Sequence, residues 1–104
     1  MDLKELTKET VKVNQKFDNW KAWDNNIRFI DLVEEIGELA NAVLTKQRAK
    51  GNKPGWQIEG FKDSLCDVLY DLLVLAEQND VDLEKEYLEM LERLKKRIEN
   101  GEWK

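Results

Sequence analysis

No histidine occurs among the 104 residues. Imidazole acid–base catalysis, Ser-His and Cys-His nucleophile pairs and histidine-ligated zinc are therefore excluded. The single cysteine leaves no disulfide framework and no thiolate metal cluster. One proline and five glycines give the chain few breaks. No run approaches the ~20 apolar residues that span a bilayer. The opening Met1-Asp2-Leu3-Lys4-Glu5 carries no apolar signal stretch, so a cytoplasmic protein without a membrane partner is expected. Positive charge is also in short supply. The net charge of −5 disfavours a nucleic-acid partner, whose backbone needs a basic surface, and makes a cation the more natural one. Catalysis is left to carboxylates, lysine, tyrosine, a hydroxyl or a bound metal.

What remains is rich in helix formers. The length suits one domain, residues 1–104, with a modest core, and a second copy is a common way to enlarge such a core. Leu3, Leu6, Thr10, Val13, Phe17 and Trp20 recur at spacings of three and four, which predicts a first amphipathic helix from Leu3 to Trp20. A second helix is predicted from Asn25 or Asn26 to about Lys50. Gly51 to Gly60, with Pro54, reads as a loop. A third helix is predicted from Phe61 to Gln78, and a fourth from an Asp82 N-cap to Glu99, stopped by Asn100-Gly101. The simplest assembly is an all-α, antiparallel four-helix bundle that oligomerises through its helices into a homodimer or homotetramer.

On the second helix, Asp31, Glu34, Glu35 and Glu38 share an arc of roughly 100° at about 100° per residue. Leu32, Val33, Ile36, Leu39, Ala40 and Val43 take the opposite arc. Alone, this reads as a solvated acidic face. The third helix shifts the balance. It is apolar nearly all round, as a buried helix is, yet Asp63, Asp67 and Asp71 form one column on it, with Ser64 beside them. Like charges at successive i,i+4 positions repel, and unpaired buried carboxylates cost more still. Either a Lys or Arg reaches in, or the carboxylates are protonated, or a divalent cation sits between the two acidic arcs. The pairing of two arcs favours the cation, and hard carboxylate oxygens suit Mg²⁺, with Mn²⁺ as a substitute. The competing reading makes the Asp column a narrow solvent-facing strip.

Leu32-Val33-Glu34-Glu35-Ile36-Gly37-Glu38-Leu39-Ala40, followed by Leu65-Cys66-Asp67-Val68-Leu69-Tyr70-Asp71-Leu72-Leu73-Val74-Leu75-Ala76, resembles the MazG-like family of the all-α NTP pyrophosphatase superfamily. Asp80-Val81-Asp82-Leu83 fits the same pattern, and the likeness spans roughly residues 25 to 100. The resemblance implies a Glu-x-x-Glu and a Glu-x-x-Asp motif that bind Mg²⁺ together. These fall on Glu35, Glu38 and Asp67, while Ser64 stands where the family has its third glutamate. Asp63 and Asp71, one turn to either side of Asp67, are the candidates to supply the missing charge. The implied reaction is hydrolysis of a nucleoside triphosphate to its monophosphate and pyrophosphate, with Glu34 or Glu35 orienting the water. Lys16, Trp20, Lys62 and Lys95 are candidates to hold the far phosphates and the base. For each of them ordinary surface or core packing is the competing reading. A catalytically weakened family member and a helical interaction protein are the alternatives to an enzyme.

Overall fold

A computed structural model describes residues 1–17, 23–48 and 58–102, with only the backbone of 45–48 and 58. Four helices carry the described chain: α1 Leu3–Asn14, α2 Asn25–Arg48, α3 Ile58–Gln78 and α4 Leu83–Glu99. The all-α class is as expected.

Local chemistry sets the helix ends. The Asp2 carboxylate accepts from Glu5 N at 2.7 Å, Asp24 from Ile27 N at 3.0 Å and Asp82 from Lys85 N at 3.1 Å. Each satisfies a donor that a helix start leaves unpaired. α3 and α4 end alike. After α3, Val81 N donates to Ala76 O at 3.0 Å and Asp80 takes φ 56°. After α4, Glu102 N donates to Arg97 O at 2.8 Å and Gly101 takes φ 72°. Both are the left-handed stop that turns the last carbonyls inward.

α2 and α3 form the central pair, antiparallel, with the start of α2 beside the end of α3. Asn25 and Asn79 exchange side-chain amide bonds at 2.8 and 3.1 Å, and Gln78 Nε2 donates to Trp23 O at 2.9 Å. α1 packs on α3, and α4 meets α1, where Leu3 N donates to Glu84 Oε1 at 3.1 Å.

Three expectations change. α1 ends at Asn14 rather than Trp20, because Asn14 turns its side chain into a buried network while Lys16 N and Phe17 N close tighter turns onto Val13 O and Asn14 O. Trp20 lies outside the described residues. α3 starts at Ile58, so Gly60, read as loop, sits in its first turn, with open space where a side chain would stand. Finally, α3 is not covered on all sides within one chain. Leu73 and Val74 are buried, whereas Leu65, Leu69 and Leu72 are exposed. On α2, Leu32 is buried while Val33, Ile36 and Val43 are exposed.

Candidate active site

The acidic arcs of α2 and α3 do face each other. Glu35 and Glu38, one turn apart on α2, and Asp67 on α3 each offer a carboxylate oxygen, and these oxygens lie within 4.8 Å of one another. Two opposed ligands on Mg²⁺ stand about 4.2 Å apart, since each Mg–O bond is 2.0–2.1 Å. The triad thus matches one hexacoordinate cation with a small side-chain adjustment. Glu35 is half-buried, and its Oε2 has no hydrogen-bond partner among the described residues. Burial, reinforced by Glu38, Asp67 and Asp31, pushes its carboxyl up to about 7. A bound divalent cation would satisfy the orphan oxygen and cancel that repulsion.

The other predicted acids stand apart from the triad. Glu34 and Asp63 are exposed and line neither the triad nor the adjoining pocket. Ser64, 8% exposed, faces inward one turn before Asp67. Asp71 is buried, and its Oδ1 pairs with Arg28 Nη1 at 3.4 Å. Burial first, then the neighbouring Asp31 carboxyl, pushes Asp71 upward, and Arg28 pulls it back only in part. A residue read as a metal ligand is thus half of a buried ion pair.

A pocket of about 370 Å³ opens beside the triad. Glu35, Asp67 and Asp31 form its acidic side, and Val13, Phe17, Trp23 and Tyr70 its apolar and aromatic walls. At its base, Arg28 Nη2 donates to Asn14 Oδ1 at 3.2 Å, the Tyr70 hydroxyl donates to the same oxygen at 3.0 Å, and the Arg28 guanidinium lies 4.7 Å from the Trp23 ring centroid. Lys16, Lys62 and Lys95 do not line this pocket. Lys62 pairs with Glu59 at 3.4 Å and Lys95 with Glu92 at 3.1 Å, each on an exposed helix face. The sequence offered a faint signal for Arg28: it is the lone basic residue at the start of α2, one turn before Asp31. Nothing in the pattern marked Asn14 or Tyr70.

The profile of the phosphoribosyl-ATP pyrophosphohydrolase family matches residues 3–97, and so covers all four helices nearly to the end of α4. The chain belongs to that family. It is accordingly a hydrolase acting on a nucleotide phosphoanhydride bond, and the family lies within the all-α NTP pyrophosphatase superfamily that its motifs resemble. No curated protein and no solved structure gives a significant match. The matched span includes both acidic motifs and every residue that lines the pocket.

Proposed function

We propose that the protein is a Mg²⁺-dependent nucleoside triphosphate pyrophosphohydrolase that cleaves between the α- and β-phosphates. The convergence of Glu35, Glu38 and Asp67 at the mouth of an aromatic-walled pocket carries this reading. Glu35, Glu38 and Asp67 would hold the cation. When bound, Mg²⁺ neutralises phosphate oxygens that this acidic face otherwise repels. Glu35 is favoured over Glu34 for orienting the attacking water. It lines the pocket, keeps an unpartnered oxygen and titrates near neutrality. Mn²⁺ fits the same hard donor set. A cytoplasmic location, where such substrates are abundant, is part of this reading.

The deciding assay is pyrophosphate release from ribo- and deoxyribonucleoside triphosphates, with phosphoribosyl-ATP in the same panel. It is run with Mg²⁺ or Mn²⁺ on the wild type, Glu38→Ala and Asp67→Ala. Release that both substitutions abolish establishes the activity and its metal residues. Release from phosphoribosyl-ATP alone narrows the substrate to the one in the family's name. No release from any compound overturns the reading.

Ser64 favours one variation, a weakened enzyme, because a hydroxyl replaces a carboxylate one turn from Asp67. Self-association is the other part of the proposal. The chain exposes 8222 Å², against roughly 6,100 Å² for a compact monomer of its mass. The exposed Val33, Ile36, Leu65, Leu69 and Leu72 lie on the central helices, where a second copy would cover them. A homodimer, or a homotetramer built from it, accounts for that surface.

A further inference from the structure

Two buried polar atoms at the base of the pocket have no protein partner among the described residues: Arg28 Nε and Asp71 Oδ2. Their side chains are 4% and 3% exposed, and both residues line the pocket. The rest of each group is spoken for. Arg28 Nη1 is on Asp71 Oδ1, Nη2 is on Asn14 Oδ1, and Asn14 is also held by Tyr70. A buried donor and a buried acceptor left unpaired are costly to a folded protein unless a ligand completes them.

The walls narrow what that ligand can be. Away from the metal-holding Glu35 and Asp67, the pocket is lined by Asp31 and Asp71, and Arg28 is its one cation among the described residues, so a phosphate is disfavoured at that end. Phe17, Trp23 and Tyr70 offer flat apolar surface suited to a neutral ring. Two carboxylates, Asp31 and Asp71, against one free N–H favour an edge that presents more than one N–H beside an acceptor.

Resting on the hydrolase reading, we propose that this pocket seats the substrate's nucleobase and that Arg28 and Asp71 read its Watson–Crick edge, selecting bases whose exocyclic amine adjoins a ring-nitrogen acceptor on that edge, cytosine and adenine. The amine donates to Asp71 Oδ2 and toward Asp31, while Arg28 Nε–H donates to the ring nitrogen. Uracil and thymine present a carbonyl oxygen where the amine would be, and that oxygen would face a carboxylate. Asn14 is a positioning residue. It holds one arm of the guanidinium, so that Nε remains for the base.

The test uses nucleosides without phosphate or metal, so it does not depend on hydrolysis. Calorimetric titration of the wild-type protein with cytidine, adenosine, uridine and thymidine should show the first two binding at least about tenfold more tightly, the worth of one hydrogen bond. Asp71→Asn places an N–H₂ where the carboxylate oxygen stood and should reverse the order in favour of uridine and thymidine. Arg28→Lys removes the Nε–H and should weaken cytidine and adenosine with the charge retained. If Asp71→Asn does not fold, the wild-type order still decides. Four equal affinities, no nucleoside binding, or an order unchanged in a folded Asp71→Asn protein each overturn the proposal. Selective nucleoside binding without pyrophosphate release from any triphosphate would sink the hydrolase reading alone.

Discussion

Arg28 and Asp71 join α2 to α3 through an ion pair of 3.4 Å that is almost wholly withdrawn from water. Removing one partner strands the other charge. Arg28→Ala or Asp71→Ala should each cost about 3–5 kcal/mol. Replacing both by apolar residues of similar size, Arg28→Met with Asp71→Leu, should recover most of that loss. Urea denaturation of the four proteins, treated as a double-mutant cycle, measures the pair directly.

Divalent cations should stabilise the fold through Glu35, Glu38 and Asp67. At one hundred times its dissociation constant a ligand that binds only the native state adds about 2.7 kcal/mol. A rise in melting temperature with Mn²⁺ or Mg²⁺ is expected for the wild type. Glu38→Ala and Asp67→Ala should show none, and an equal rise in either would remove the triad as the site.

The Glu35 carboxyl titrates at about 7 in the fold against 4.5 when unperturbed. The native state therefore holds a proton that the unfolded chain has released between those values. For this group, stability of the metal-free protein is greatest below pH 4.5, declines as pH rises, and levels off above about 7. Glu35→Gln should flatten that decline. Thermal melts in chelator across this range, wild type beside variant, test the sign.

The likeness to the MazG-like family singled out Glu35, Glu38 and Asp67; local spacing alone showed only two acidic arcs, one on α2 and one on α3. Asp82 as an N-cap was legible from local sequence. The Arg28–Asp71–Asn14–Tyr70 network was not, since it joins three helices and no spacing within one of them records it. Asp71 was consequently grouped with the metal residues it stands near. The end of α1 was misplaced because the apolar repeat runs on past Asn14 after the backbone has left the helix. Val33, Ile36 and Leu65 were read as core, yet they are exposed in a single chain. Hydrophobic pattern records burial without saying whether the cover belongs to the same chain.

Ser64→Glu would restore a carboxylate one turn before Asp67. If the present site is a weakened one, pyrophosphate release at limiting Mg²⁺ should rise, and the cation should bind about tenfold more tightly, equivalent to about 1.4 kcal/mol. Unchanged affinity with unchanged turnover would show that Ser64 limits neither.

Leu69 and Leu72 lie on the exposed flank of α3, each 42% exposed. Leu72→Lys should shift a wild-type dimer toward monomer in light scattering and make the melting temperature depend less steeply on protein concentration. A wild type that is monomeric at every concentration would refute the self-association reading.

The amide exchange between Asn25 and Asn79 acts on chemistry it never touches. A helix that slides past its neighbour by one turn moves 5.4 Å, more than the 4.8 Å that encloses the three carboxylate oxygens. Glu35 stands ten residues along α2 from Asn25, about 15 Å at the helical rise. The reciprocal bonds, with Gln78 on the Trp23 carbonyl, pin the two rods at one end. They act as an indexing pin. Side chains that carry no charge thus share with the Arg28–Asp71 pair the task of aligning the acids, and a substitution at Asn79 would detune the metal site from a distance by loosening one end of the rods.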